Sequence, residues 1–168
     1  GATNIAVDLS ANATGAQVRQ TVVTSATAPS ITGDVVFGSG NDRFDIDDGS
    51  VSGAAKFGGG SNIMAVSGDA TYAGAASFGA GDDSINLGGT ASFAGSADFG
   101  GGTDSLTLAG TSRFTGTLAN AQGLAIALNG GTLDIGKSSA TIRTLSIGQA
   151  GNLVVTIDGA TKTNTLYQ

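Results

Sequence analysis

Residues 78–87 read FGAGDDSINL, and three other stretches of the chain repeat this phrase. They are FGSGNDRFDI at 37–46, FGGGSNIMAV at 57–66 and FGGGTDSLTL at 99–108. Since the phrases begin at residues 37, 57, 78 and 99, the steps between them are 20, 21 and 21 residues. A fixed period of about 20 residues is typical of a solenoid, in which each unit buries its apolar face against its neighbours.

Three apolar columns follow from this alignment. The first consists of the four phenylalanines that open the phrases. The second consists of apolar residues two positions apart after each glycine turn: Phe44 and Ile46, Met64 and Val66, Ile85 and Leu87, Leu106 and Leu108. The third lies between small residues at Val51, Tyr72, Phe93 and Phe114. Alternation of apolar and small residues predicts short strands with one buried face.

Each repeat therefore predicts about three short strands: one around the third column, one ending at Phe-Gly, and one after the glycine turn. Three strands and their turns fill about 20 residues, and stacked rungs lie about 4.8 Å apart. The sequence predicts an all-β fold, a single-stranded parallel β-helix of about 20–21 residues per coil.

Three regions are expected. Residues 1–30 form an irregular N-terminal coil or cap, with Ile5, Val7 and Leu9 inward and with the stretch after residue 15 either strand or loop. Residues 31–114 form the Phe-Gly repeat β-helix. Residues 115–168 form C-terminal β-helix coils that we expect to be more tightly packed, with Leu133 and Ile135 equivalent to Leu153 and Val155.

Composition excludes several classes of function. All thirteen acidic residues are Asp, the net charge is −6 and the pI is about 4.1, so a basic surface for nucleic acid is not expected. The absence of Cys and His excludes disulfides, thiolate metal sites and Cys or His catalysis. We expect no apolar spanning helix and no signal peptide pattern in this sequence. The abrupt start and end suggest a fragment of a longer protein.

The turn G-x-G-x-[DN] in each phrase is the feature closest to a binding motif. It resembles the calcium-binding nonapeptide of RTX β-rolls. That resemblance implies Asp42, Asp83 and Asp104 as calcium ligands, with glycine carbonyl oxygens completing the shell. The motif occupies only one side of the coil, however, and Asn62 replaces the aspartate in the second copy. The alternative, which we favour, is structural: glycines allow a sharp corner, and the Asp and Asn side chains cap turn amides. We therefore expect no cofactor, with calcium as the alternative.

Two other patterns point to catalysis or nucleotide binding and are not favoured. Residues 131–138 match the phosphate-loop pattern G-x-x-x-x-G-K-[ST], but they alternate like a strand and no helical period follows. Clusters of aspartates at 45–48 and 82–83 suggest a polysaccharide-cleaving β-helix enzyme. Their turn or outward positions and the lack of Trp favour plain solvation. We expect no enzyme activity and no nucleotide binding.

With its repeats aligned, the chain resembles the passenger region of a Gram-negative autotransporter (type V secretion). The resemblance rests on FGAGDDSINLGG, on FGGGTDSLTLAGTSRFTG and on GGTLDIG and LSIGQAGNLVVTIDG, and it covers roughly residues 31–168. It implies a right-handed parallel β-helical stalk, exported across the outer membrane to the cell surface through a C-terminal β-barrel that lies outside this chain. It also implies an extracellular scaffold that contributes to adhesion to host or cell-surface ligands, or presents another domain.

The rival interpretation is a calcium-dependent RTX-like surface or S-layer module. Under either interpretation, the terminal rungs present open strand edges, which predict end-to-end self-association of such a segment.

Overall fold

The structure is a computed structural model that describes residues 4–21 and 27–156. Within these residues it contains eighteen β-strands and one 3₁₀ turn, Ala121–Gly123, and no α-helix. Eleven strands form one sheet: β1 (Ile5–Asp8), β3 (Ser30–Thr32), β4 (Asp34–Val36), β6 (Ser50–Ser52), β7 (Ala55–Lys56), β9 (Thr71–Ala73), β10 (Ala76–Ser77), β12 (Ser92–Asp98), β14 (Arg113–Ala119), β16 (Thr132–Gly136) and β18 (Asn152–Val155). Seven strands form the other: β2 (Gln17–Gln20), β5 (Arg43–Ile46), β8 (Ile63–Val66), β11 (Ser84–Leu87), β13 (Ser105–Ala109), β15 (Ala125–Asn129) and β17 (Thr144–Ile147).

Strands of the same sheet pair in parallel between successive coils. Strand β11 is representative, because Ile85 pairs with Met64 of β8 on one side and with Leu106 of β13 on the other. An internal strand therefore pairs with the equivalent strands of the coil before and the coil after. The chain is therefore an all-β parallel β-solenoid of about 6 turns with about 21 residues per turn, which confirms the fold that the repeat predicts.

The three predicted apolar columns are buried in the core. The rings of Phe37, Phe57, Phe78 and Phe99 stack with centroids 4.7, 4.6 and 5.8 Å apart in chain order. In the third column, the ring centroid of Phe93 lies 4.8 Å from that of Tyr72 and 4.7 Å from that of Phe114. Each neighbouring ring pair adds about 0.5–1.5 kcal/mol beyond the burial of its area. The stacks therefore favour the alignment of one coil on the next.

The expected three strands per coil are present in the earlier coils only. In the coil that carries Tyr72, strands β9 and β10 are separate. The next coils have one continuous strand instead, β12 and then β14, each of seven residues. At the break, the Tyr72 hydroxyl accepts a hydrogen bond from the Ala55 amide (2.9 Å) and donates to the Ala75 carbonyl (2.8 Å). Phe93 and Phe114 have no hydroxyl to place there.

The described part of the N-terminal coil departs from the repeat. Gln17 of β2 pairs with Arg43, 26 positions further on, so this coil is longer than the repeat. Val7 and Leu9 pack against the core, as predicted. The inward placement of Ile5 is wrong: its side chain is 44% exposed, because β1 is the first strand of its sheet and its register shifts between Ile5 and Val7. The stretch after residue 15, which the sequence left as strand or loop, begins with strand β2 at Gln17–Gln20. Residues 22–26 of that stretch lie outside the described residues.

The C-terminal coils keep the ladder but lose burial along the chain. Leu133 pairs with Leu153 as predicted. The equivalence of Ile135 and Val155 is wrong, because the register shifts there and Val155 pairs with Gly136. The leucine and isoleucine side chains of these coils are buried as far as Leu133, which is 2% exposed. Ile147 is 52% exposed, because β17 is the last described strand of its sheet. The predicted region boundaries remain predictions, and residues 157–168 lie outside the described residues.

Candidate functional site: the polar corner of the coils

The glycine turn after each Phe-Gly pair forms a corner where successive coils approach closely. A Cβ atom placed on Gly79 would lie 2.3 Å from the carbonyl oxygen of Gly58, one coil earlier. One placed on Gly100 would lie 2.0 Å from the carbonyl oxygen of Gly79. These distances are far below van der Waals contact, so glycine at this position is required by the stacking of backbone on backbone.

Four buried polar side chains form a column just inside this corner. They are Asp42, Asn62, Asp83 and Asp104, one from each coil, and we call them the inner column. The backbone N–H of each of the first three donates to the side-chain Oδ1 of the next, over 2.9, 2.8 and 3.0 Å in chain order. The Ala16 amide donates to Asp42 Oδ1 at one end, and the Asp104 amide donates to the Gly123 carbonyl at the other.

The residues immediately before the inner column form a second ladder on the outside. They are Asn41, Ser61, Asp82 and Thr103, and we call them the outer column. Here the donors lie on the later coil: Ser61 N–H donates to Asn41 Oδ1 (2.8 Å), Asp82 N–H to Ser61 Oγ (3.3 Å) and Thr103 N–H to Asp82 Oδ1 (2.8 Å). Because the two columns donate in opposite directions, the Ser61–Asn62 and Asp82–Asp83 corners are each tied to the coil before and to the coil after.

The inner column carries an electrostatic cost. Asp42, Asp83 and Asp104 each leave Oδ2 buried and without a hydrogen-bond partner. Burial raises the pKa of Asp83 to about 6; hydrogen bonds from Asn62 oppose this shift, and the charges of Asp104 and Asp82 add to it. Burial also raises the pKa of Asp104. A buried carboxylate without a cation is unfavourable, and a raised pKa is the expected response.

The structure places the three predicted calcium candidates on one column, but on separate coils, with Asn62 between the first two. Each uses Oδ1 to accept a backbone amide. Among residues 4–21 and 27–156, no group of three or more His, Cys, Asp or Glu side chains is arranged to hold a metal ion. The turn-capping interpretation accounts for these contacts, and calcium binding stays the untested alternative.

The other candidate patterns lie in structural contexts that differ from those their chemistry needs. Within the phosphate-loop match, Thr132–Gly136 is strand β16, and no helix follows it in the described residues up to 156. Asp45 forms an ion pair with Arg43 (2.8 Å). Asp82 is exposed, but Asp83 and Asp45 are buried, so the expected plain solvation is wrong for Asp83 and Asp45.

Sequence reasoning placed the inner-column residues at equivalent positions of the repeat but did not predict their burial, and it missed the outer column. The signal was present, because every outer-column residue has a short side chain with an oxygen acceptor. The Tyr72 hydroxyl bridge had no such signal, since nothing in the repeat distinguishes Tyr72 from the phenylalanines that follow it.

The described part of the chain contains no helix with the length and hydropathy needed to span a bilayer. A scan against protein-family models, a search of curated proteins and a search of solved structures each gave no significant match. The fold and the polar corner together show a β-helical solenoid scaffold.

Proposed function

We propose that this chain is a structural section of an exported bacterial surface protein of the autotransporter passenger class. In this role it acts as an extracellular stalk that presents another part of the protein or contributes to adhesion. Its export partner is a C-terminal β-barrel outside this chain. The stacked coils of about 21 residues carry out this role, and no residue is assigned a catalytic role.

The observation that carries the proposal is the continuity of the ladders from coil to coil. Both sheets run through all the described coils, from β1 to β18 and from β2 to β17. Such a stack folds by adding one coil to the last, because each unit contacts only its neighbours. This suits a chain that emerges gradually through a narrow pore. The absence of Cys also suits it, since no disulfide forms before passage.

Surface display tests the proposal. The chain is joined to a secretion signal and to the β-barrel of an autotransporter, and external protease then reports which residues reach the outside and how they fold. We expect the chain to be displayed and to resist protease as a stacked unit. Retention in the periplasm, or display as a fully digestible chain, would contradict the proposal.

A pair of glycine variants shows whether display depends on stacking. Gly79→Val places its side chain against the Gly58 carbonyl, whereas a Cβ on Gly88 meets nothing within 4 Å. We expect Gly79→Val to reduce display or protease resistance, and Gly88→Val to behave like the parent chain. Equal display and resistance for both variants would remove the link between coil stacking and export.

A second measurement addresses enzyme activity. Incubation with a panel of acidic glycans should release no reducing ends if the chain is a scaffold. Release that is lost in Asp82→Asn would instead support a polysaccharide-cleaving enzyme.

A further inference from the structure

The inner column contains more buried carboxyl oxygens than the available hydrogen-bond donors can satisfy. Asp83 and Asp104 lie on adjacent coils, each 1% exposed. All the donors that reach Asp83 converge on its Oδ1: the backbone N–H and the side-chain Nδ2 of Asn62, at 2.8 and 2.9 Å. Asp104 Oδ1 likewise accepts the Asp83 amide. The Oδ2 atom of each residue is buried and has no partner.

Among residues 4–21 and 27–156, no cation contributes to the electrostatics of Asp83 or Asp104. The charged groups that act on Asp83 are Asp104 and Asp82, and Asp82 also acts on Asp104; all are acidic. The cations of the surrounding coils are engaged elsewhere. Arg43 pairs with Asp45, Lys56 with Asp34 and Arg113 with Asp134, and Arg143 donates to the Gly123 carbonyl. An uncompensated buried carboxylate is unfavourable, and protonation removes its charge.

We propose that the inner column is a proton-binding device: Asp83 and Asp104 carry protons on their unpartnered Oδ2 atoms when the coils are stacked, and loss of these protons loosens the corner. Asn62 shows how the column accommodates a neutral side chain at this position. It supplies the same Oδ1 acceptor to the coil before, and its Nδ2 donates to Asp83 and to the Gly60 carbonyl.

The direction of the pH effect follows from the two states of the chain. The folded-state pKa of Asp83 is about 6, above its ordinary value of 3.8. The folded state therefore keeps a proton that the unfolded chain has already released, and stability falls as the pH rises from about 4 to about 7. The lowered pKa values of Asp8, Asp34 and Asp47 act oppositely, but only in more acidic solution, below about pH 4.

Thermal unfolding of Asp83→Asn and Asp104→Asn, measured from pH 4 to pH 8.5, tests the proposal. Each variant keeps the Oδ1 acceptor and removes the charge. We expect the melting temperature of Asp83→Asn to exceed that of the parent chain by about 5–10 °C at pH 7.5 and to match it near pH 4. A lower melting temperature at pH 7.5 with an unchanged pH dependence would overturn the proposal.

Asp69→Asn is the matched control. Asp69 is exposed, and its substitution changes the net charge by the same amount. We expect it to leave the pH dependence of the melting temperature as in the parent chain. If it flattens that dependence as much as Asp83→Asn does, the effect belongs to the net charge and not to the column.

Titration of the aspartate carboxyl carbons by ¹³C NMR on the parent chain gives a result that needs no folded variant. We expect the Asp83 resonance, identified by its coupling to assigned neighbours, to titrate near pH 6. Titration at or below pH 4 would overturn the proposal.

Calcium and a chelator form the last arm of the test. Calcium chloride or EDTA at pH 7.5 should leave the melting temperature of the parent chain unchanged. A rise with calcium that is lost in Asp83→Asn would show that a cation, and not a proton, occupies the column.

Discussion

At the scale of single residues, glycine decides where the coils can stack. The Phe-Gly pairs repeat because the position after each phenylalanine lies against the backbone of the previous coil. Sequence alone indicates the repeat, but it does not show that the contact is with a carbonyl oxygen one coil away. Gly79 and Gly88 look equally suited to turns in the sequence, and only the structure separates them.

Gly79→Ala should destabilise the chain strongly. Its Cβ would lie 2.3 Å from the Gly58 carbonyl oxygen, so the two coils must separate. We expect a loss of about 2–4 kcal/mol in the free energy of unfolding, measured by urea denaturation. Gly88→Ala is the control, with an expected change within about 0.5 kcal/mol. Similar losses in the two variants would refute a specific backbone contact at Gly79.

Tyr72→Phe should have a small cost. The hydroxyl accepts from the Ala55 amide, but that amide also donates to the Ala75 carbonyl (2.9 Å), so no buried donor is left alone. Phe93 and Phe114 occupy the same position in later coils. We expect a loss of about 1 kcal/mol by urea denaturation. A loss above about 3 kcal/mol would mean that the hydroxyl bridge is needed to hold the coil.

At the scale of elements, the sequence predicts strands well and their junctions poorly. The inward alternation of Ile85 and Leu87 identifies β11 directly. The fusion of two short strands into β12 was not predicted, because the small residues at 94–96 are compatible with either a turn or a strand. The shift near Gly136 was missed for a similar reason: a one-residue change of register leaves the apolar pattern almost unchanged.

The polar corner is also only partly predictable from the sequence. The repeat places Asp42, Asp83 and Asp104 at equivalent positions, but it does not show whether they point inward or outward. Their neighbours in the outer column have the same type of side chain, and burial alone separates the two sets. Calcium ligation and turn capping both use such residues, so the sequence left both open.

Asn62→Asp should make the chain more sensitive to pH. The change removes the donors from Nδ2 to Asp83 and to Gly60, and it adds a buried carboxyl beside Asp83. Like charges raise the pKa of both acids further, so the stabilisation present in acid is lost as the pH rises. We expect a loss of about 2–4 kcal/mol at pH 7.5 and about 1 kcal/mol at pH 4, by urea denaturation. An equal loss at both pH values would exclude charge as the cause.

At the scale of the whole molecule, stability is a sum of coils and of contacts between neighbouring coils. The two sheets, the aromatic columns and the polar columns all repeat with the same period, so adjacent coils are nearly interchangeable. The sequence predicts the repeat and its apolar columns, because a period of 20–21 residues is visible without any structural knowledge. It does not predict the ends, where Ile5 and Ile147 are exposed.

Deletion of residues 79–99, one full coil of 21 residues, should leave a folded chain. It joins Phe78 to Gly100 and keeps every column in register. We expect β-sheet circular dichroism, cooperative unfolding and a moderately lower melting temperature. Deletion of residues 79–88 removes half a coil and should prevent cooperative unfolding. If both deletions unfold alike, the coils are not independent units.

The uniform period also sets how such a protein changes size over generations. A gene that gains or loses a segment encoding one lap alters the reach of the rod by about 4.8 Å and disturbs no other part of it. Recombination between the segments that encode successive laps would then yield rods of graded length, whereas an insertion that splits a lap would put the columns out of register.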